Sequence, residues 1–177
     1  MKSEDISRRS FLKRAAALSA AAAIPSFWIP SKANAMPGVP FVSANEKVRI
    51  AFIGIGNRGG EIAQELYKTG LCEVVALCDV DMGAPHTQKL ISMFPKVPRF
   101  QDFRQMFDKM ADKIDAVTVG VPDHAHFPIT IEAMAHGKHV YVEKPMARTF
   151  QEIEVMMRAE KKFGVVTQMG NQGHSEA

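Results

Sequence analysis

With 177 residues, the chain has room for one domain and the start of a second. Its 46% hydrophobic and 23% charged residues are the balance of an ordinary soluble globular chain. The net charge of +3 belongs to the N-terminus: residues 1–35 hold Lys2, Arg8, Arg9, Lys13, Arg14 and Lys32 against Glu4 and Asp5, so taking that +4 from the +3 leaves −1 for residues 36–177. A remainder so near neutrality gives no electrostatic reason to expect nucleic acid or anionic lipid as partner.

Residues 7–35 read SRRSFLKRAAALSAAAAIPSFWIPSKANA. A basic region to Arg14, an apolar stretch from Ala15 to Ile29 and the A-x-A site Ala33-Asn34-Ala35 come in the order of a secretory leader. The stretch is Ala-rich, broken by Pro25 and shorter than the roughly 20 residues of a membrane span. An uncleaved anchor or a disordered basic tail is the plainer alternative. SRRSFLK resembles the twin-arginine signal, with Arg8-Arg9 ahead of a polar residue and then Phe11-Leu12-Lys13. The resemblance implies export in the folded state, with the twin-arginine translocase as partner and the periplasm or another extracytoplasmic bacterial compartment as destination.

Residues 36–46, rich in Pro, Gly and Ser, read as a linker. A domain is expected over 47–170. KVRIAFIG is a buried strand, and RGGEIAQELYKTG a helix with Ile62 and Leu66 one turn apart and Gly70 as C-cap. CEVVALCDV is a second strand and GAPHTQKLISMF a helix stopped before Pro95. DFRQMFDKM is a short helix, DAVTVGV a strand, HFPITIEAMAHG a helix and KHVYVEK a strand. Thr149-Phe150-Gln151-Glu152 fits a capping box that opens a helix to Phe163, stopped by Gly164 and followed by the strand VVTQMG. Strands alternating with helices predict an α/β fold, a Rossmann-like, doubly wound, mostly parallel sheet covered on both faces.

In such a sheet all strand C-termini face one edge, where ligands bind. That edge collects Gly54-Ile55-Gly56-Asn57-Arg58-Gly59, Asp79-Val80-Asp81, Val121-Pro122-Asp123-His124-Ala125-His126, Glu143-Lys144-Pro145 and the segment from Met169 to His174. G-x-G-x-x-G following a strand, opening a helix and trailed by Asp79 twenty residues past Gly59 is the full dinucleotide fingerprint. Gly54 permits the tight turn, Gly56 lets a pyrophosphate near the backbone, and Gly59 lets helix and strand pack closely. The helix N-terminus supplies amides and partial positive charge. Asp79 can accept from a ribose and repel a 2′-phosphate, which favours NAD over NADP. Arg58 either neutralises a phosphate or is solvated.

Several residues read as structural. Cys72 and Cys78, six steps apart on one strand, are expected on the same face, beyond disulfide reach, as small buried hydrophobes. Asp123, His124 and His126 are metal-ligand types, but one loop rarely supplies a whole site, so no metal is expected. His86, His136 and His139 read as surface residues, and Met156 and Met157 as a buried helix face with Ile153.

VPDHAHFPITIEAMAHGKHVYVEKPMA, with AFIGIGNRGG and ALCDVD upstream, resembles the N-terminal domain of the Gfo/Idh/MocA oxidoreductases, the family of glucose–fructose oxidoreductase and inositol dehydrogenase. The similarity covers about residues 47–175, and GKHVYVEKP is its most specific element. The closing TQMGNQGHS is similar to a subgroup of exported members, some of which keep their nicotinamide cofactor tightly bound. The resemblance implies Gly54, Gly56, Asn57, Arg58, Gly59 and Asp79 at the dinucleotide. Val121, Pro122 and His126 would line the cofactor cleft, and Glu143, Lys144 and Pro145 form the E-K-P signature.

Lys144 would face nicotinamide and substrate, its pKa lowered by burial near that cation; the alternative is a salt bridge to Glu143. A sugar or polyol is the implied substrate. A redox-neutral glycosidase or lyase on the same scaffold, or a non-catalytic nucleotide-binding module, are the alternatives. The family continues into a substrate-binding domain, expected to begin at 171–177. The oligomeric state stays open, a homo-oligomer included.

Overall fold

The computed structural model describes residues 47–174. The expectations for the leader, its cleavage site and the linker fall outside them.

Six strands form one sheet in the order β3-β2-β1-β4-β5-β6, every neighbouring pair parallel. They are β1 (Val48–Ile53), β2 (Cys72–Cys78), β3 (Arg99–Phe100), β4 (Ala116–Val119), β5 (His139–Glu143) and β6 (Thr167–Gly170). Five helices cover it: α1 (Asn57–Lys68), α2 (Gln88–Met93), α3 (Phe103–Met110), α4 (His126–Ala135) and α5 (Phe150–Phe163). The order reverses between β1 and β4, which opens a crevice at their C-terminal ends. The fold expected from the alternation of strands and helices is the one observed.

Alternate residues of β1 feed two cores. Ile50 and Phe52 join Leu90, Ile91 and Ala63 beneath α1 and α2; Ala51 and Ile53 join Met106, Ile129, Met134 and Met156 beneath α3, α4 and α5. Burial on both faces is why β1 is apolar without alternation. Local caps set the helix ends. Asp102 accepts from Arg104 N–H at 2.9 Å to open α3. Thr149 and Glu152 exchange both capping-box bonds at α5, which Gly164 closes in the left-handed region at φ +64°.

Four expectations are corrected. The helix expected over 83–94 is a 3-10 turn, Pro85–Thr87, and then the shorter α2. Thr87 Oγ1 donates to Ala84 O at 2.8 Å, a local bond that competes with regular helix. Strand β3 was not anticipated: two residues after Pro98 carry no periodicity, and pairing with β2 alone makes them a strand. Cys72 and Cys78 are both buried and free but lie on opposite faces, in different cores. The register skips Val75 between Ile50↔Val74 and Ala51↔Ala76, and that bulge inverts the alternation. Met157 is 54% exposed while Met156 is buried, because the buried face of α5 runs through Met156 and Ala159.

Smaller shifts concern ends and histidines. Thr69 is the C-cap of α1 and Gly70, at φ +72°, follows it. His136 is half-buried and stacked on Phe107 at 5.0 Å, and half-buried His139 accepts from Val166 N–H through Nδ1 at 2.9 Å.

At the opposite edge of the sheet, buried Asp115 ties β4 to β1. Its carboxylate accepts from Arg49 Nε and backbone N–H, each at 2.9 Å, and from Nη2 at 2.6 Å. Burial would push the carboxyl pKa up, but the Arg49 hydrogen bonds and the Arg49 and Lys138 charges hold it below the usual carboxylate range. A folded-state pKa below the unfolded value of about 3.9 adds stability that is present above that pH and lost as pH falls through the folded value. Asp115→Asn is therefore expected to cost about 1–3 kcal/mol at pH 7, allowing for the part-exposed arginine, and to flatten the loss of stability below about pH 4. Urea titrations across pH measure both.

Candidate functional site

A cavity of about 630 Å³ opens at the reversal of strand order. The turn from β1 into α1 forms one wall. Gly54 adopts φ +79°, which favours glycine, and a Cβ there would stand 2.5 Å from Gly120 O. A Cβ on Gly59 would collide with Gly54 O and lie 2.9 Å from Gly120 O. Glycine at these two positions lets α1 start against the ends of β1 and β4.

The first turn of α1 fits an anion. Gly56 is its N-cap, no side chain caps it, and no acidic residue stands in its first turn. Amides left over by the helix hydrogen-bonding pattern thus face the cavity with the positive end of the helix dipole. Asn57 holds φ +43°, a left-handed conformation that asparagine tolerates better than most residues.

Asp79, at the end of β2, forms the second wall. One carboxylate oxygen accepts Ile55 N–H at 2.9 Å, the other Asp81 N–H at 3.0 Å. A carboxylate has about four lone-pair positions, so Asp79 can brace both walls and still accept from ribose hydroxyls. Val121 and Pro122 line the side formed by the segment after β4.

Of the remaining expected residues Arg58 lines the cavity and the others stand elsewhere. Gly59 is packed behind the loop. His126 is 1% exposed, so it supports the cleft rather than lining it. Its Nδ1 is 2.6 Å from Pro145 O and its Nε2 2.8 Å from Val121 O. Both acceptors are carbonyls, so each bond needs a hydrogen on its own nitrogen: a neutral ring satisfies one and an imidazolium both. The ring ties the segment after β4 to the one after β5.

Glu143 is buried. It accepts from Gln172 Nε2, which also donates to Tyr141 Oη at 2.6 Å, and lies 3.8 Å from Arg58 Nε. Burial beside this carboxylate raises the Tyr141 pKa. Arg58 bonds Glu61 at 3.0 Å, its pKa is raised chiefly by that bond, and its exposed guanidinium sits at the cavity between two carboxylates. Lys144 and Pro145 are exposed at the end of β5. Lys144 donates its backbone N–H to Glu143 Oε2 at 3.3 Å. Among the described residues its ammonium pairs with no carboxylate, and this domain does not supply the burial expected of it.

The cavity wall also holds residues that the motifs did not point to: His86, Gln101, Phe103 and Cys78. Cys78 is a poor nucleophile, its thiol pKa pushed up to about 12 by burial and by Asp79 and Asp102. Among the described residues no group of three or more His, Cys, Asp or Glu could hold a metal ion. No helix among them is long and apolar enough to cross a membrane.

His126→Ala removes the buried ring that joins Val121 O to Pro145 O and is expected to cost about 1–3 kcal/mol in urea denaturation, with the far-UV spectrum preserved.

The alpha-N-acetylgalactosaminidase of Shewanella oneidensis is 30% identical over 164 residues, covering 84% of this chain and 35% of that one. The glycosyl hydrolase family 109 protein 1 of Shewanella sp. strain ANA-3 has the same identity and coverage. The crystal structure of myo-inositol 2-dehydrogenase from Lactobacillus plantarum has a TM-score of 0.64 and 26% identity, covering 74% of this chain and 38% of that one. The chain thus spans about a third of the length of the curated relatives it matches. The family described as "Oxidoreductase family, NAD-binding Rossmann fold" (GFO_IDH_MocA) matches residues 48–171. With its parallel sheet, glycine turn and acidic end to β2, the chain belongs to this family and has its NAD-binding Rossmann fold.

Proposed function

We propose that this chain is the nucleotide-binding part of an enzyme that moves hydride between NAD and a secondary hydroxyl of a sugar or polyol. One observation carries the reading: the uncapped first turn of α1 and the Asp79 carboxylate line a single cavity. When bound, NAD supplies the hydride acceptor at its nicotinamide ring. The amides after Gly56 would hold the pyrophosphate, and Asp79 would accept from the adenosine ribose. The charges of Asp79 and Asp81 disfavour a 2′-phosphate, hence NAD over NADP. Lys144, exposed at the end of β5, can donate a hydrogen bond to the substrate oxygen and stabilise the charge that develops as its proton leaves. His126 and Glu143 hold the flanking segments in register.

A second reading has its own support. The Shewanella relatives are named for glycoside cleavage, which favours a redox-neutral cycle in which NAD is regenerated within each turnover. Substrate turnover with accumulation of NADH supports the first reading, and cleavage of a glycoside without it the second.

The leader belongs to the same proposal. Arg8-Arg9 followed by Phe11-Leu12-Lys13 supports twin-arginine export of the folded domain with its cofactor inside, to an extracytoplasmic compartment. Replacing both arginines by lysine is expected to leave the protein in the cytoplasm, as read by cell fractionation.

The cofactor site is tested by calorimetric titration of the purified chain with NAD and NADP. NAD is expected to bind more tightly, and Asp79→Ala to weaken it about tenfold or more while narrowing the preference, in proportion to losing a charged hydrogen-bond acceptor. Equal affinity of wild type and Asp79→Ala for NAD contradicts the assignment.

A further inference from the structure

One side chain of the cavity wall has no part in the reading above. His86 sits in the 3-10 turn Pro85–Thr87, between β2 and α2, and is exposed. Its imidazole lies against the glycine turn: a Cβ on Gly56 would collide with its Cδ2, and its Nε2 is 2.9 Å from the same point. The space that a side chain at Gly56 would fill is thus taken by a histidine ring. That ring lines the cavity together with Asn57, Asp79 and Asp81.

The turn beneath the ring is braced. Thr87 is fully buried and donates to Ala84 O at 2.8 Å. Gln88 Nε2 donates to Met82 O at 2.8 Å and to Ala84 O at 3.2 Å. Asp81 Oδ1 accepts Gly83 N–H at 3.0 Å, and Gln101 Nε2 donates to Val80 O at 3.0 Å. Successive bonds from Asp79 to Gln88 make this segment a built wall, and it carries the imidazole to the N-terminus of α1 at no further ordering cost to the backbone.

Charge and donor inventory point the same way. On this wall Asp79 and Asp81 are acceptors only, and an imidazole always has an N–H to give. Arg58, the cation within the glycine turn, is drawn toward Glu61 and Glu143. A phosphate oxygen arriving at the α1 amides therefore meets His86 as a side-chain donor on the β2 side.

We propose that His86 is a nucleotide-binding residue, its imidazole bordering Gly56 and donating a ring N–H to the pyrophosphate of the dinucleotide. The proposal rests on the NAD reading and adds to it a donor that the glycine fingerprint does not contain.

The test is calorimetric titration of the purified chain, wild type and His86 variants, with NAD and with ADP-ribose, which keeps the pyrophosphate but lacks nicotinamide. His86→Leu keeps apolar bulk and loses the donor; it is expected to weaken both ligands about tenfold, a loss of about 1.4 kcal/mol. His86→Gln keeps an N–H and is expected to recover most of that loss. Thermal melts of the free proteins are expected to coincide, since the ring is exposed. NAD binding by His86→Leu within twofold of wild type overturns the proposal. A loss confined to NAD and absent with ADP-ribose overturns the pyrophosphate assignment. A wild-type chain that binds neither ligand overturns the NAD reading itself, a result distinct from both.

Discussion

The Asp79 carboxylate accepts Ile55 N–H with one oxygen and Asp81 N–H with the other, and both walls of the crevice take their position from that pair of bonds. Ile55 belongs to the glycine turn, where backbone N–H groups are the binding equipment. Asp81 begins the braced segment that carries His86. Because Asp79 ends β2, and β2 pairs with β1 along its length, the site inherits the rigidity of the sheet rather than that of its loops. A negative charge next to an anion site needs compensation, and the α1 dipole and its free amides provide it.

The other flank of the crevice is held by different chemistry. His126 joins Val121 O to Pro145 O, and Glu143 joins Arg58, Gln172 and the Lys144 amide. These contacts link the ends of β4, β5 and β6 to the start of α1. Lys144 is thereby presented on a fixed backbone with its ammonium in solvent, ready for a group brought to it. The E-K-P signature divides accordingly: a buried carboxylate that organises the strand ends, and an exposed cation beside it.

Much of this was legible in the sequence where the determinants are local. The glycine spacing, the strand before it and Asp79 after it define a binding turn by steric and hydrogen-bonding needs of adjacent residues. The capping box at Thr149 is equally local. What escaped depends on contacts between distant segments. The bulge at Val75 exists because β1 and β2 differ in length between fixed pairings, so the even spacing of Cys72 and Cys78 misplaced one of them. Strand β3 exists only through its partner. His86 has no periodic or motif context; packing of its turn against α1 brings it to Gly56. The resemblance placed His126 on the cofactor cleft, but the two carbonyls that hold its ring lie five residues before and nineteen after it.

The central claim is that the backbone amides at the start of α1 grip the dinucleotide. Amide-resolved nuclear magnetic resonance of the isotopically labelled chain, titrated with NAD, tests it directly. The account predicts saturable shifts concentrated at the amides of Gly56, Asn57, Arg58 and Gly59, with smaller ones at Ile55 and Asp81. Saturable shifts that leave these amides unmoved, or no shifts at all, would contradict it.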